Sequence, residues 1–161
     1  MSSLAIQAAG AAIFGAASVA AHGYVQAINV AGTYYNGYNP TVDPYESDPP
    51  TVVGWTASDT DEGYVSPTAY ASGDIICHVD ATPAGGYAAV NAGDQIELYW
   101  TAWPSSHHGP VIDYLAKCDD DDCVNVDKTT LEFFKIDAVG LVDDSDVPGT
   151  WASGRFLMRK L

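Results

Sequence analysis

Basic residues are scarce. Six Lys and Arg stand against 21 Asp and Glu in 161 residues, a net charge of −15, and none of the six occurs before Lys117. Such a chain has nothing with which to neutralise a phosphate backbone or an anionic lipid surface, so nucleic-acid and membrane partners are excluded. Sustained apolar periodicity at 3.6 residues is missing after His22, which leaves strands as the expected elements. Asn-x-Ser/Thr acceptors are missing as well, so N-linked glycosylation is not expected. There are three cysteines, and an odd number cannot all pair within one chain. The length and the 47% apolar content suit one globular domain with a core, neither two full domains nor a disordered chain.

Residues 1–21 carry no charged side chain and end Val19-Ala20-Ala21 before His22. That predicts a secretory signal peptide and an extracellular product. A membrane anchor fits less well, because Gly10, Gly15 and many alanines make the run weakly hydrophobic and small residues sit where signal peptidase cuts. Cleavage after Ala21 exposes a free α-amine on His22 beside its imidazole. These are two nitrogen donors on one residue, with ordinary pKa values near ~8 and ~6.5, both readily stripped of a proton by a divalent metal.

Short runs rich in Val, Ile, Tyr, Phe and Trp alternate with Gly, Pro, Asn and Asp. Expected strands are Tyr24–Val30, Ile75–His78, Gln95–Trp100, Val111–Ala116 and Glu132–Val139. Turn chemistry lies at Thr82–Gly86, Asn91–Asp94 and Val147-Pro148-Gly149. Crossover helices have little room, so antiparallel pairing and a β-sandwich are the expected architecture, in a single domain over residues 22–161. Gly32–Asp61 reads as one long loop. Its Tyr34, Tyr35, Tyr38 and Tyr45 either offer flat rings to a sugar face or cap the end of the core. Cys118 and Cys123 bracket Asp119–Asp122 and are spaced to close a small loop, which would leave Cys77 unpaired and its mate missing. Consecutive aspartates cannot all converge on one ion, so that run reads as a solvated acidic turn rather than a calcium loop.

The most informative run is Trp100 to Ala116, which sets His107 and His108 on a loop between two expected strands. Taken with His22-Gly23-Tyr24-Val25, Asp74-Ile75-Ile76-Cys77-His78, Ser106-His107-His108-Gly109-Pro110-Val111 and Leu131-Glu132-Phe133-Phe134-Lys135-Ile136, it closely resembles the fungal lytic polysaccharide monooxygenases of auxiliary activity family nine, formerly glycoside hydrolase family sixty-one. The resemblance implies an immunoglobulin- or fibronectin-like antiparallel β-sandwich with long loops. It also implies one copper ion in a histidine brace made by the α-amine and a ring nitrogen of His22 with a ring nitrogen of His107. Neutral nitrogen donors in such an array suit Cu(II). His108 falls on the variable position of the motif, and His78 is not a ligand in it. In the family, reduced copper and dioxygen or hydrogen peroxide, with an external electron donor, cleave cellulose or a related β-linked glucan oxidatively. Tyr45 aligns with an aromatic on the substrate-binding face, and Cys118 and Cys123 match a short-range disulfide. The protein is expected to act as a monomer.

The resemblance is expected to stop after Trp151-Ala152-Ser153, where three of the six basic residues crowd into Gly154–Leu161. Family members continue through further strands that carry a His and a Gln behind the copper ligands, the Tyr in the axial direction of the metal, and the partner of Cys77. The expectation is therefore a C-terminally truncated chain, its late strands missing and its last residues belonging to a misread gene model. The alternatives to a secreted copper monooxygenase are a non-catalytic secreted module that binds copper or glycan, and a product that never folds stably.

Overall fold

The computed structural model describes residues 22–118 and 122–154 and the backbone of 159–160. The expected leader over 1–21, the acidic run at 119–121 and positions 155–158 and 161 lie outside the described residues.

β1 (Val25–Val30) and β2 (Thr33–Asn36) form a hairpin across Ala31-Gly32. Both turn residues have positive φ, 50° and 86°, the mirror-image turn whose twist matches that of the flanking strands. Glycine adopts this conformation freely and alanine at a cost. The Asn29 carboxamide oxygen steadies the turn by accepting the Gly32 N–H at 2.9 Å. β2 lies inside the segment expected to be loop, because three strand-forming residues, Thr33, Tyr34 and Tyr35, are too few to show a period.

β1 also pairs with β3 (Gln95–Trp100), and β3 with β8 (Arg159–Lys160), giving an antiparallel sheet ordered β2-β1-β3-β8. β4 (Val111–Ala116) pairs with β5 (Phe133–Val139), and β6 (Leu141–Asp143) with β7 (Thr150–Trp151), both antiparallel. The all-β antiparallel class and four of the five expected strands are thus present. Among the described residues the helical elements are short 3-10 turns.

The fifth expected strand is not one. Gly73–Ile75 is a 3-10 turn, capped by the Ser72 hydroxyl accepting the Asp74 N–H at 3.2 Å. Beyond it Cys77, His78 and Asp80 all take positive φ, which no strand tolerates. The apolar Ile75-Ile76-Cys77 run had suggested a strand, but the local Ser and Asp hydrogen bonds offer the backbone other partners.

β1 is the centre of packing: Ala27 and Val30 are buried, alongside Val52, Ala81 and Ala84 from the long connection and Val126 and Ala152 from later segments. No large side chain among the described residues is fully buried, and Tyr114, Leu115 and Phe134 on the β4–β5 ribbon are exposed. Cys118 and Cys123 form the expected disulfide, and Cys77 is a free thiol. Burial pushes the Cys77 thiol pKa up, against the pull of Lys128.

The register of β1 on β3 positions the candidate site. Val25 lies opposite Trp100, so the chain leading into β1 runs beside the chain leaving β3. His22 and the loop of His107 are brought to the same end of the sheet.

Candidate metal centre

Two reciprocal bonds clamp these segments: the Tyr24 N–H donates to the Thr101 hydroxyl at 3.0 Å, and the Thr101 N–H donates to the Tyr24 carbonyl at 2.9 Å. Gly23 is required at the clamp, because a Cβ there would stand 2.7 Å from Thr101 Oγ1.

The His22 and His107 rings then meet with centroids 4.9 Å apart and planes at 80°. Trp103 stands edge-on to both, 6.2 Å from His22 and 6.1 Å from His107, and Tyr64 lies 5.7 Å from His22. Nδ1 of His22 is buried and has no hydrogen-bond partner. Leaving a buried polar atom unsatisfied costs about 1–3 kcal/mol, so this nitrogen asks for a ligand.

The loop carrying His107 is held by its backbone. The His107 N–H donates to the Pro104 carbonyl at 3.0 Å, and the His107 carbonyl accepts from Trp103 Nε1 at 2.9 Å and from the Ser153 hydroxyl at 3.0 Å. Ser153, itself buried, also accepts the Gly109 N–H on its hydroxyl at 3.0 Å and donates its own N–H to the Gly109 carbonyl at 3.2 Å. On the imidazole, the Ser106 hydroxyl lies 3.3 Å from Nδ1, which engages that nitrogen and leaves Nε2 for a ligand.

Among the described residues no three His, Cys, Asp or Glu side chains gather at one point. A metal held here rests on two imidazoles and a third donor that is not such a side chain. The donor set of crossed imidazoles, one with an orphaned buried nitrogen, at the residue whose α-amine cleavage after Ala21 would free, fits copper: it is all nitrogen, neutral, and leaves coordination positions open.

His108 is exposed, next to the site. His78 is elsewhere, 3.9 Å from Asp59. Tyr45 ends the 3-10 turn Asp43–Tyr45 and is 75% exposed. It is not among the rings packed on His22 but neighbours Tyr38, whose phenol is pushed up by burial and then by Asp43 and Tyr45. Tyr64, Trp103, Thr101 and Ser153 were not singled out in the sequence. For Trp103 its place in the histidine-bearing run was a usable signal; for Ser153, distant in sequence, there was none.

The sequence model described as "Auxiliary Activity family 9 (formerly GH61)" matches residues 22–160. The chain belongs to auxiliary activity family 9. The match begins on His22 and runs past Ser153, where the resemblance was expected to end. Within family 9, the chain is 55% identical over 157 residues to AA9 family lytic polysaccharide monooxygenase A of Talaromyces verruculosus, covering 98% of this chain and 48% of that protein. It is 57% identical over 138 residues to AA9 family lytic polysaccharide monooxygenase cel61A of Hypocrea jecorina, covering 86% and 40%. The match spans between 35% and 50% of the length of the curated family 9 relatives. Among solved structures, the extended catalytic domain of H. jecorina LPMO9A superposes with a TM-score of 0.77 at 57% identity, covering 82% of this chain and 52% of that one. A cellulose-active polysaccharide monooxygenase from M. thermophila gives 0.68 at 26% identity, covering 84% and 58%. The fold is the antiparallel β-sandwich of these family 9 structures.

Proposed function

We propose that this chain carries the copper site of a secreted enzyme that cleaves cellulose or a related β-linked glucan by oxidation. The reading rests on one observation above all: the His22 and His107 rings crossed at 80°, with Nδ1 of His22 buried and unpartnered. Residues 1–21 act as the leader, and removal after Ala21 supplies the α-amine of His22 as the third nitrogen. Holding the ion falls to that amine, Nδ1 of His22 and Nε2 of His107. If bound there, copper would supply redox chemistry toward a sugar C–H bond, with an external electron donor and dioxygen or hydrogen peroxide as co-substrates.

The chain's own residues orient and shield. The Tyr24–Thr101 clamp fixes the direction of His22, Trp103 and Ser153 fix the His107 carbonyl, and the indole of Trp103 packs edge-on against both imidazoles. The exposed rings of Tyr45 and Tyr64 suit stacking on the faces of an uncharged polymer. Cys118–Cys123 staples the connection that follows β4.

The test is to produce the chain with His22 as first residue, titrate Cu(II), and analyse cellulose incubated with protein and reductant for oxidised oligosaccharides. Tight one-to-one binding with products supports the reading, and no binding overturns it. A second reading, a module that binds copper or glycan without turnover, is favoured by the chain spanning about half of its relatives' length; binding without products selects it.

A further inference from the structure

Away from the two candidate ligands the structure contains a second, independent oddity. Among the described residues the non-glycine positions with positive φ are Ala31 in the hairpin turn and then Glu62, Cys77, His78 and Asp80. The last four fall in two segments that meet at a pair made of buried Asp59 and half-buried His78. Asp59 is 9% exposed, and its Oδ2 lies 3.9 Å from Nε2 of His78, whose ring nitrogens are both buried and make no hydrogen bond. Backbone held in costly conformations persists only where surrounding structure enforces it, and such positions concentrate at functional sites.

The enforcement is traceable. The chain at 56–58 is tied to 79–82 by Thr56 N–H to the Thr82 carbonyl at 3.1 Å, the return bond at 3.3 Å, and Ser58 N–H to the Val79 carbonyl at 2.9 Å. From that tie Asp59 closes a tight turn: its carbonyl accepts the Glu62 N–H at 3.1 Å, and its Oδ1 accepts the Gly63 N–H at 2.8 Å. Asp61 Oδ1 is a second acceptor for Gly63 at 3.1 Å. The next residue is Tyr64, whose ring is 67% exposed and 5.7 Å from the His22 ring. One carboxylate therefore joins the His78 segment, through one oxygen, to the turn that presents Tyr64, through the other.

We propose that Asp59 and His78 are positioning residues for the His22 site: their contact, together with the backbone ties beside it, holds the turn over residues 59–63 that sets the Tyr64 ring against the His22 imidazole. This rests on the copper-site reading for its functional meaning, since it fixes beside His22 an exposed ring suited to stack on the glucan. It does not rest on that reading for its geometry. Burial raises the Asp59 pKa while His78 and the Gly63 N–H lower it, as expected of a carboxylate enclosed with these partners.

The experiment uses the full chain without metal and follows the ring-proton resonances of His22 by NMR. Tyr64→Leu defines the shift those protons owe to the tyrosine ring. Asp59→Ala and His78→Ala each move the same resonances in the same direction. Asp59→Asn, whose amide keeps an acceptor for Gly63 and a polar group toward His78, restores the wild-type positions. Adding Asp59→Ala to Tyr64→Leu moves them no further. His22 resonances that ignore Tyr64→Leu, or that respond to it but not to His78→Ala, overturn the proposal. Should Asp59→Ala fail to fold, His78→Ala and Asp59→Asn carry the decision. A parallel Cu(II) titration of the wild type separates the two readings, because absent copper binding with the expected shifts would sink the brace and leave the positioning pair intact.

Discussion

The hydroxyl of Ser153 donates to the carbonyl of His107 across 46 residues of sequence, at 3.0 Å, while accepting the N–H of Gly109 on the same oxygen. One buried side chain thus holds the loop on both sides of His108, directly after a candidate copper ligand.

Ser153→Ala should remove both hydrogen bonds of the hydroxyl and leave the Gly109 N–H without its acceptor. The expected cost is about 1–3 kcal/mol of stability, read from denaturant midpoints. Copper affinity should fall with it, while Ser153→Thr should retain part of both.

Gly23→Ala tests the clamp. The added Cβ would lie 2.7 Å from Thr101 Oγ1, which accepts the Tyr24 N–H of the clamp, and 3.3 Å from the backbone carbonyl of Ala102. A loss of about 1–3 kcal/mol is expected, with weaker copper binding, by thermal denaturation and titration.

A chain retaining one residue before His22 converts the α-amine into an amide and removes a nitrogen donor. Since loss of groups merely behind the ligands costs ~10–100-fold, affinity should fall by at least the upper end of that range. Isothermal titration with Cu(II) checks it; an unchanged affinity refutes the ligand set.

Tyr45→Ala should weaken binding to cellulose by about two- to tenfold, the worth of one stacked ring, and leave Cu(II) affinity unaltered. A pull-down isotherm on crystalline cellulose measures the first and titration the second.

Asp59 makes stability depend on pH. Its folded pKa is raised, chiefly by burial, above an unfolded value near ~3.9, so the folded state holds the proton more tightly. Its favourable contribution is complete below the unfolded value and is lost as pH rises through the raised one. Relative to Asp59→Asn, which does not titrate, the wild type should lose stability over that window and remain at a constant deficit above it. Urea midpoints of both proteins across acid to neutral pH check the sign.

Four strands were legible because runs such as Gln95–Trp100 and Val111–Ala116 carry strand-forming side chains between turn residues. β2, β6 and β7 escaped notice because strands this short show no period; pairing with a neighbour makes them strands. The 3-10 turn at Gly73–Ile75 misled for the opposite reason: apolar content signalled burial, while the Ser72 cap and the left-handed residues after it set the backbone. Of the candidate site, His22 and His107 were readable from motif spacing. Tyr64 and Ser153 were not, since nothing in a linear sequence marks which tyrosine or serine a fold will bring to a histidine.

By itself the sequence determined an acidic, all-β chain of family 9 with His22 and His107 as candidate metal ligands, because composition and motif are local properties. Tertiary structure alone decided that the two imidazoles cross at 80° with a buried nitrogen left over, that Ser153 locks one loop and that Asp59 meets His78. The reason is physical: hydrogen-bond satisfaction and burial depend on what arrives from distant segments, as the pairing of β1 with β3 does for His22 and the loop of His107 and the Thr56–Thr82 tie does for Asp59 and His78.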